Sequence, residues 1–119
     1  MEKLIDLETA KLIPEPKKSA YWNQCFWFYI DTTHKDGYFM ARRNDLDIDY
    51  PRPTQSLAQK YLREEKKMHV KADINLNTGK WFFTAVHLEL KHFCLKSISI
   101  FDSYELALEA GLQETLKIS

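Results

Sequence analysis

The stretch that decides the fold is PTQSLAQKYLREE, residues 53–65. Pro53 has no backbone N–H, so it fits the position just before a helix or in its first turn. Thr54 can accept a hydrogen bond from an amide of that turn, which makes it the expected N-cap. We therefore predict a helix over residues 54–67 with a defined start.

The predicted helix has an apolar side and a polar side. At 100° per residue, its apolar residues fall within one sector that would face a core. They are Leu57, Ala58, Tyr61, Leu62 and Met68. The opposite side carries Gln55, Ser56, Gln59, Lys60, Arg63, Lys66 and Lys67. We therefore expect one face of the helix to be a polar surface with local positive charge.

This polar side is the candidate binding site for a partner. Gln55, Gln59 and Arg63 follow one another at intervals of four, so we expect their side chains to form one exposed ridge. Arg63 is the expected anchor, because a planar guanidinium can hold a carboxylate or phosphate through two hydrogen bonds. The basic residues expected to flank the ridge are Lys60, Lys66 and Lys67. The alternative is a helix face that contacts only water.

Glu65 does not fit the division into two sides, because it projects into the middle of the apolar sector. In one interpretation the helix has reached the edge of the domain there, and the carboxylate meets water or a lysine. In the other the carboxylate is buried, which would mark a functional site. The sequence leaves both alternatives open.

The same stretch carries a resemblance to a known family. The run PTQSL, followed by Lys60, Leu62 and Arg63, is similar to a motif of small uncharacterised proteins encoded by phages and prophages of gut bacteria. Residues 104–112, YELALEAGL, resemble the C-terminal helix of that family. The resemblance implies a phage-associated protein, and it carries over no catalytic residue.

The resemblance also extends to the N-terminus. Residues 7–12, LETAKL, resemble the N-terminal helix of the family. Pro14 and Pro16 depart from it, since they stand where that helix would continue. The similar stretches lie at both ends and in the centre, so they span most of the chain.

Length, charge and cysteine content limit the class of protein. A chain of 119 residues fits a single domain, residues 1–119. Lys and Arg total 17 and Asp and Glu total 17, which argues against a protein whose main activity is non-specific binding of nucleic acid. There is no membrane-length apolar run and no signal-peptide pattern, so we expect a cytoplasmic protein. Cys25 and Cys94 are expected to be buried thiols.

Before the central helix, the sequence predicts a short helix and two strands. Asp6 can cap a helix over residues 7–13 that a proline ends. Residues 21–31 are dense in aromatic side chains and largely apolar on both sides, which predicts a strand covered on both faces. The Asp-Gly pair at 36–37 favours a hairpin turn into a second strand over residues 38–43.

After the central helix, the sequence predicts three strands. Residues 69–76 alternate between apolar and polar side chains, which is typical of a strand with one buried face. Residues 77–79, Asn-Thr-Gly, favour a tight hairpin turn. Two more strands are predicted over residues 80–90 and 93–101.

The last helix has its own start signal and a buried stripe. Asp102 is the expected N-cap, with Glu105 as its capping-box partner. Gly111 weakens a helix, so its place on the buried stripe predicts a close approach of the helix to the sheet. The stripe consists of Tyr104, Ala107, Leu108, Gly111, Leu112, Thr115 and Leu116.

The predicted order of elements is α-β-β-α-β-β-β-α. Because hairpin turns connect most of the strands, we expect a mostly antiparallel sheet of about five strands with helices packed on it, an α+β fold. The order of the strands within the sheet does not follow from one sequence.

Two groups of residues have side chains that can bind metal ions. Asp45, Asp47 and Asp49 lie on one side of an extended segment, but the glycine and bidentate glutamate of an EF-hand loop are missing. The alternative is an edge strand whose acids stay in water. His92 and Cys94 lie two apart and lack further ligands. We therefore expect no metal and no cofactor.

The sequence contains no recognisable catalytic motif. It lacks a nucleophile motif, a phosphate-binding glycine loop and a dinucleotide fingerprint. The leading interpretation is therefore a non-enzymatic accessory protein that binds another macromolecule, in first place a protein, through the polar side of the central helix. An enzyme of unknown class is the third alternative.

The second alternative is a nucleic-acid-binding domain. It would use the basic face of the 54–67 helix or an aromatic platform on the 21–43 strands, since bases stack on exposed aromatic side chains. The competing interpretation is that these aromatics fill the core. The candidate platform residues are Trp27, Tyr29, Tyr38, Arg42 and Arg43.

Overall fold

The structure, a computed structural model, describes residues 3–30, 38–42, 50–90 and 92–118. Within these ranges the chain forms three α-helices and six β-strands. The helices are α1 (Leu7–Ala10), α2 (Gln55–Glu65) and α3 (Tyr104–Ile118). The strands are β1 (Phe26–Ile30), β2 (Tyr38–Arg42), β3 (Tyr50–Arg52), β4 (Met68–Asn75), β5 (Lys80–His87) and β6 (His92–Lys96).

The first sheet places β1 between β2 and β3, with both pairs antiparallel. Phe28 of β1 pairs with Met40 of β2 and with Tyr50 of β3. Trp27 and Phe28 are both buried, although successive side chains of a strand point to opposite faces. Both faces of β1 are therefore covered at these residues, as the dense run of aromatics predicts.

The strand predicted over residues 21–31 starts later than expected. Ala20–Trp22 forms a 3₁₀ turn, and β1 begins only at Phe26. The carbonyl oxygen of Trp22 accepts a hydrogen bond from Trp27 Nε1 at 3.0 Å and another from Cys25 Sγ at 3.2 Å. The turn buries the Trp22 side chain completely, so burial of this indole overrides the strand propensity of the aromatic residues.

The second sheet has the order β4-β5-β6 and is also antiparallel. The predicted hairpin turn is confirmed: Gly79 has a φ of 73°, and its N–H donates to the Asn75 carbonyl at 2.8 Å. β6 ends at Lys96, earlier than predicted. Phe101 then returns to the sheet through an isolated bridge to Trp81.

Helix α1 is shorter than the predicted helix over residues 7–13, because its α-helical part ends at Ala10. Asp6 occupies the N-cap position, but its side chain makes no capping hydrogen bond, so the predicted cap is wrong. The backbone N–H of Asp6 instead donates to Glu109 Oε2 at 2.9 Å. The start of this helix is therefore held by a contact with α3.

Helix α2 begins as the sequence predicts. Thr54 Oγ1 accepts a hydrogen bond from the Leu57 N–H at 3.2 Å, which confirms the N-cap. The N-terminal segment pairs with this start, since the Ile5 N–H donates to the Pro53 carbonyl at 2.9 Å. Helix α2 packs against both β4 and α3.

The cap of α3 is one residue later than predicted. Ser103 Oγ accepts the hydrogen bond from the Leu106 N–H at 3.2 Å. Asp102 forms an exposed ion pair with Lys80 of β5 instead. Ser103 and Asp102 are neighbours with similar capping propensity, so the pairing across the sheet decides between them.

Gly111 confirms the predicted close approach of α3 to the second sheet. A Cβ atom at this position would lie 2.9 Å from Val70 Cγ1 and 3.0 Å from Phe83 Cβ. The other residues of the predicted stripe are buried with one exception, since Tyr104 is 39% exposed. The helix therefore rests on β4 and β5 with almost no gap at its middle.

One cluster of buried side chains joins both sheets to the helices. The buried members from the first sheet, α2, the second sheet and α3 include Trp27, Leu62, Val70 and Leu112. The predicted α+β class is therefore confirmed. The strands divide into two antiparallel sheets of three, and β3 is a strand beyond the five expected.

Candidate functional site

The expected ridge on α2 is not exposed at its first residue. Gln55 is only 3% exposed, and its Nε2 donates to the Glu105 carbonyl and to Glu109 Oε1, both at 3.0 Å. The expectation fails because α3 packs against the first turn of α2 and encloses this side chain. Gln55 therefore contributes to the contact between two helices.

Gln59, the second residue of the expected ridge, is half-buried. Its Nε2 donates to the Val70 carbonyl of β4 at 2.8 Å. This bond satisfies a backbone acceptor of β4, and it also ties α2 to the second sheet. The polar side of α2 is therefore partly an internal surface between two elements, and its free part lies further along the helix.

The free part of the polar side is its basic C-terminal end. Lys60 and Lys67 are exposed, while Arg63 and Lys66 are half-buried. Lys67 has a φ of 58°, and its Nζ donates to the Glu64 carbonyl at 3.0 Å, which closes the helix end. The basic residues thus remain candidates for contact with a partner.

The same end of α2 forms one wall of a cleft of about 390 Å³. The other wall comes from the segment between α1 and β1, which folds into two 3₁₀ turns. We name this site the Tyr21–Tyr61 cleft. The residues that line it are Pro14, Glu15, Lys18, Ser19, Ala20, Tyr21, Tyr61, Glu65 and Lys66.

Aromatic rings in direct contact form the base of the cleft. The Tyr21 and Tyr61 rings meet edge to face with centroids 5.5 Å apart. The centroid of the Trp22 ring lies 4.9 Å from the centroid of the Tyr61 ring. Tyr61 is buried, and burial together with the charge of Glu65 raises the pKa of its hydroxyl. These contacts hold the rings in a fixed arrangement beneath the charged rim.

The Tyr21 hydroxyl is fixed by a carboxylate. It donates to Glu64 Oε1 at 2.7 Å. This hydrogen bond, followed by burial and by the negative charges of Glu64 and Glu65, raises the pKa of Tyr21 to about 12. Tyr21 therefore stays protonated near neutral pH, with its hydroxyl beside two carboxylates.

Glu65 is exposed and lines the cleft, which decides between the two interpretations of its position. The helix ends at this residue, so the carboxylate leaves the apolar sector for the rim of the cleft. Across the cleft, Glu15 adopts a left-handed backbone with a φ of 44° and pairs with Lys18 at 3.5 Å. The rim thus carries charges of both signs.

A second polar cluster is closed to solvent. Glu109 is 5% exposed, and its Oε2 accepts hydrogen bonds from the Asp6 N–H at 2.9 Å and from the Thr9 hydroxyl. Its Oε1 accepts the bond from Gln55 Nε2 at 3.0 Å. The cluster joins the N-terminal segment, α2 and α3. The cluster therefore stabilises the packing of these elements against one another.

The structure excludes Trp27 from the aromatic platform that the nucleic-acid hypothesis requires. Trp27 is fully buried, so it cannot stack on a base. Arg43 and the side chains of Tyr29, Tyr38 and Arg42 lie outside the described residues.

The candidate metal ligands are only partly described. Asp45, Asp47 and Asp49 lie outside the described residues, as do the side chains of His92 and Cys94. Within the described part of the chain, no three His, Cys, Asp or Glu side chains group closely enough to hold a metal ion. Cys25 is a buried thiol, as expected.

Sequence reasoning missed the cleft because it misassigned one of its walls. Tyr21 was predicted in a strand, but it lies in the 3₁₀ turn Ala20–Trp22. The cue in the sequence is Glu65, a carboxylate within the apolar sector that contains Tyr61, which indicates that the helix end is a boundary between core and solvent.

No helix within the described ranges is long and apolar enough to cross a membrane. Comparisons of the chain with protein-family models, with curated proteins and with solved structures gave no match.

Proposed function

We propose that the protein is a phage-associated accessory protein of the cytoplasm, without catalytic activity of its own, that binds a protein partner. The contact surface is the Tyr21–Tyr61 cleft together with the basic C-terminal end of α2. This surface replaces the ridge expected from the sequence, since Gln55 and Gln59 are engaged inside the protein. Lys60, Arg63, Lys66 and Lys67 remain part of it.

The observation that carries this proposal is the composition of the cleft. Tyrosine rings form its base, and carboxylates and ammonium groups form its rim. Binding sites between proteins are enriched in tyrosine at their centre and have a polar rim. The rings are already held by ring contacts and by the bond to Glu64, so little side-chain entropy is lost when a partner binds.

The charges of the rim favour a protein partner over a nucleic acid. Glu15 and Glu65 lie on the same rim as Lys18 and Lys66. A phosphate backbone would be attracted by the lysines and repelled by the carboxylates. A polypeptide offers side chains of both signs, so it can complement the whole rim.

The ionisation of Tyr21 argues against its use as a general base. A general base works best when its pKa lies near the operating pH. The bond to Glu64 raises the pKa of Tyr21 to about 12, so its hydroxyl keeps its proton at neutral pH. Tyr21 is therefore poorly suited to remove a proton from a ligand, and its hydroxyl stays a hydrogen-bond donor to Glu64.

Affinity capture with a variant of the rim tests the proposal. In the double variant Glu65→Gln with Lys66→Gln, two opposite charges are lost and the net charge is unchanged. Glu65 is exposed and Lys66 is half-buried at the end of α2, so the melting temperature should stay within a few degrees. The tagged variant should recover less of the partner from a bacterial lysate than the wild type does.

The matched control removes the same two kinds of charge elsewhere. Lys80 and Asp102 form an exposed ion pair at the opposite end of the second sheet, so Lys80→Gln with Asp102→Asn should cost little stability. This control should recover the partner as the wild type does. Equal recovery by all three proteins would refute the cleft as the binding surface.

A further inference from the structure

The second sheet has a face that points away from α3, and we name it the outer face. Val70 and Phe83 lie against Gly111 of α3, so the residues that alternate with them along their strands point to the opposite side. Directly paired residues share a face, which extends the assignment to β6. The described side chains of the outer face are His69, Lys71, Asp73 and Asn75 of β4, Lys80, Phe82, Thr84 and Val86 of β5, and Lys96 of β6.

The outer face divides into a balanced end and a positively charged end. Near the hairpin turn, Lys80 forms an ion pair with Asp102. Asp73 lies between the two ends, and its carboxylate accepts a hydrogen bond from the backbone N–H of the next residue at 3.0 Å. Further along the strands, Lys71 and Lys96 are exposed and form no ion pair within the described residues. Two uncompensated ammonium groups therefore mark this end.

His69 supports the sign of the charge at this end of the outer face. Burial is the main cause that lowers the pKa of its imidazole, and the two charged groups that lower it further are Arg63 and Lys71. Both groups are positive, so the electrostatic effect on His69 comes from cations. An anion on this part of the sheet would therefore meet a favourable potential.

The middle of the positive end holds a buried hydroxyl group without a partner. Thr84 pairs with Lys71 on one side and with Lys96 on the other, so the three side chains form a row across the sheet. Thr84 is 4% exposed, and within the described residues its Oγ1 has no hydrogen-bond partner. Buried hydroxyl groups normally have one. An oxyanion between the two lysines would supply the missing acceptor.

The spacing of the row suits a phosphate group. Neighbouring strands lie about 4.8 Å apart, so the Cβ atoms of Lys71 and Lys96 are roughly 10 Å apart and both long side chains can reach a group between them. Lys96 Nζ lies 5.7 Å from the centroid of the Phe82 ring, so its side chain already runs along the outer face. Lysine stems are flexible, and they can move aside to open the Thr84 hydroxyl to a ligand.

We propose that the outer face binds the backbone of a single-stranded nucleic acid, with one phosphate group between Lys71 and Lys96 that accepts a hydrogen bond from Thr84. A sheet face presents its cations side by side and does not enclose a ligand, so it suits a chain of repeated charges better than one small anion. The proposal goes beyond the proposed function, since no residue of the outer face lines the Tyr21–Tyr61 cleft.

Fluorescence anisotropy of the full-length protein with a labelled oligothymidylate of about 15 nucleotides tests this proposal. The wild type should bind, and its affinity should fall as salt rises. The double variant Lys71→Gln with Lys96→Gln should bind at least about threefold more weakly. The slope of log affinity against log salt should become shallower by about 1.4, because each phosphate contact on a single strand contributes about 0.7.

The matched control removes the same net charge from another surface. Lys11 and Lys117 are exposed and lie at the ends of α1 and α3, away from the outer face. Lys11→Gln with Lys117→Gln should therefore keep the affinity and the salt slope of the wild type.

Thr84→Val separates binding from folding. The hydroxyl has no partner within the described residues, so its removal should leave the urea midpoint unchanged or raise it. The same change should weaken binding of the oligonucleotide by at least about threefold, because a hydrogen bond to a charged phosphate is lost. A purely structural threonine would not give this combination.

Three results with these proteins would overturn the proposal: no binding by the wild type at low salt, equal weakening in the two double-lysine variants, or unchanged affinity in Thr84→Val. Polyglutamate of similar charge is the competing polyanion, and it should displace the oligonucleotide poorly. Equally effective displacement would assign the outer face to an acidic protein and overturn the proposal as well. Affinity capture with the rim variant does not involve the outer face, so the proposed function would stand or fall separately.

Discussion

Among single residues, Glu109 is the least expected feature of the molecule. A buried carboxylate is costly unless hydrogen bonds compensate for lost water. Here three donors reach its two oxygens: the Asp6 N–H, the Thr9 hydroxyl and Gln55 Nε2. These donors come from parts of the chain that are far apart in sequence. Glu109 therefore links the N-terminal segment and α2 to α3.

We expect Glu109→Gln to destabilise the protein by about 1–3 kcal/mol, because the new amide nitrogen would face a donor where an acceptor is required. Denaturation in urea would measure the change. Glu105→Gln, one turn earlier on the exposed side, should change stability by less than about 0.5 kcal/mol. Equal stability of Glu109→Gln and the wild type would mean that the three hydrogen bonds do not depend on the carboxylate.

His69 gives the stability a dependence on pH. Burial is the main cause that lowers the pKa of His69 below its usual 6.5, and the positive charges of Arg63 and Lys71 lower it further. Between its folded and unfolded pKa values, the unfolded chain binds more protons than the folded protein, so stability falls as pH drops below about 6.5. Above this pH, the stability contributed by neutral His69 is fully present.

The measurement is the urea midpoint at pH 5 and pH 7 for the wild type and for His69→Gln. The wild type should lose more stability between these two values than the variant does. In parallel, Arg63→Gln should raise the pKa of His69 in a proton NMR titration, since it removes a nearby positive charge. Identical pH profiles of the wild type and His69→Gln would show that His69 does not contribute.

Among the elements, α2 shows how much local sequence determines. Thr54→Ala should destabilise the protein by about 1 kcal/mol, while Thr54→Ser should have little effect because its hydroxyl can still accept from the Leu57 N–H. Thermal denaturation of both variants would measure this. Equal losses in the two variants would indicate that the methyl group of Thr54, and not its hydroxyl, stabilises the helix start.

Helix α3 depends on the absence of a side chain at Gly111. Gly111→Ala adds about 1 kcal/mol of helix propensity, but its Cβ would lie 2.9 Å from Val70 Cγ1 and 3.0 Å from Phe83 Cβ. We expect overpacking to outweigh the propensity gain, so that Gly111→Ala destabilises and Gly111→Leu destabilises more, by over 1 kcal/mol. Glu114→Ala, an exposed site on the same helix, is the control. A more stable Gly111→Ala would contradict this packing.

The sequence predicted the elements whose signals are local. Three predictions that depend only on neighbouring residues are confirmed. They are the N-cap at Thr54, the tight turn at Gly79 and the close approach of the helix at Gly111. The Asp102 cap is wrong because Lys80, which is distant in sequence, competes for that carboxylate. The residues next to a predicted cap do not show whether a residue distant in sequence will pair with it.

The candidate site was harder to predict than the fold. Gln55 is polar and lies opposite the apolar side of α2, so periodicity places it in water. It is buried because α3 supplies Glu109 as its partner. The cleft was missed for a related reason: Tyr21 belongs to a 3₁₀ turn that exists because Trp22 is buried against Tyr61. Both features depend on contacts between elements that are remote in sequence.

On the scale of the whole molecule, one core holds both sheets and the cleft lies at its border. Tyr61 and Trp22 belong to the buried cluster, and Tyr21 packs against it. The base of the cleft is therefore an extension of the core, while its rim consists of exposed charges. This arrangement combines a rigid support with a polar surface, which a site for protein binding requires.

The most direct test of the central claim is site-specific photo-crosslinking. The photoreactive residue p-benzoylphenylalanine would replace Lys18 on the exposed rim of the cleft or, as the control, Asn77 in the exposed hairpin turn at the far end of β4. We predict a crosslinked partner protein from position 18 and none from position 77, and loss of that product when Glu65→Gln and Lys66→Gln are added. Crosslinking that is equal at both positions, or that persists in the rim variant, would contradict the account.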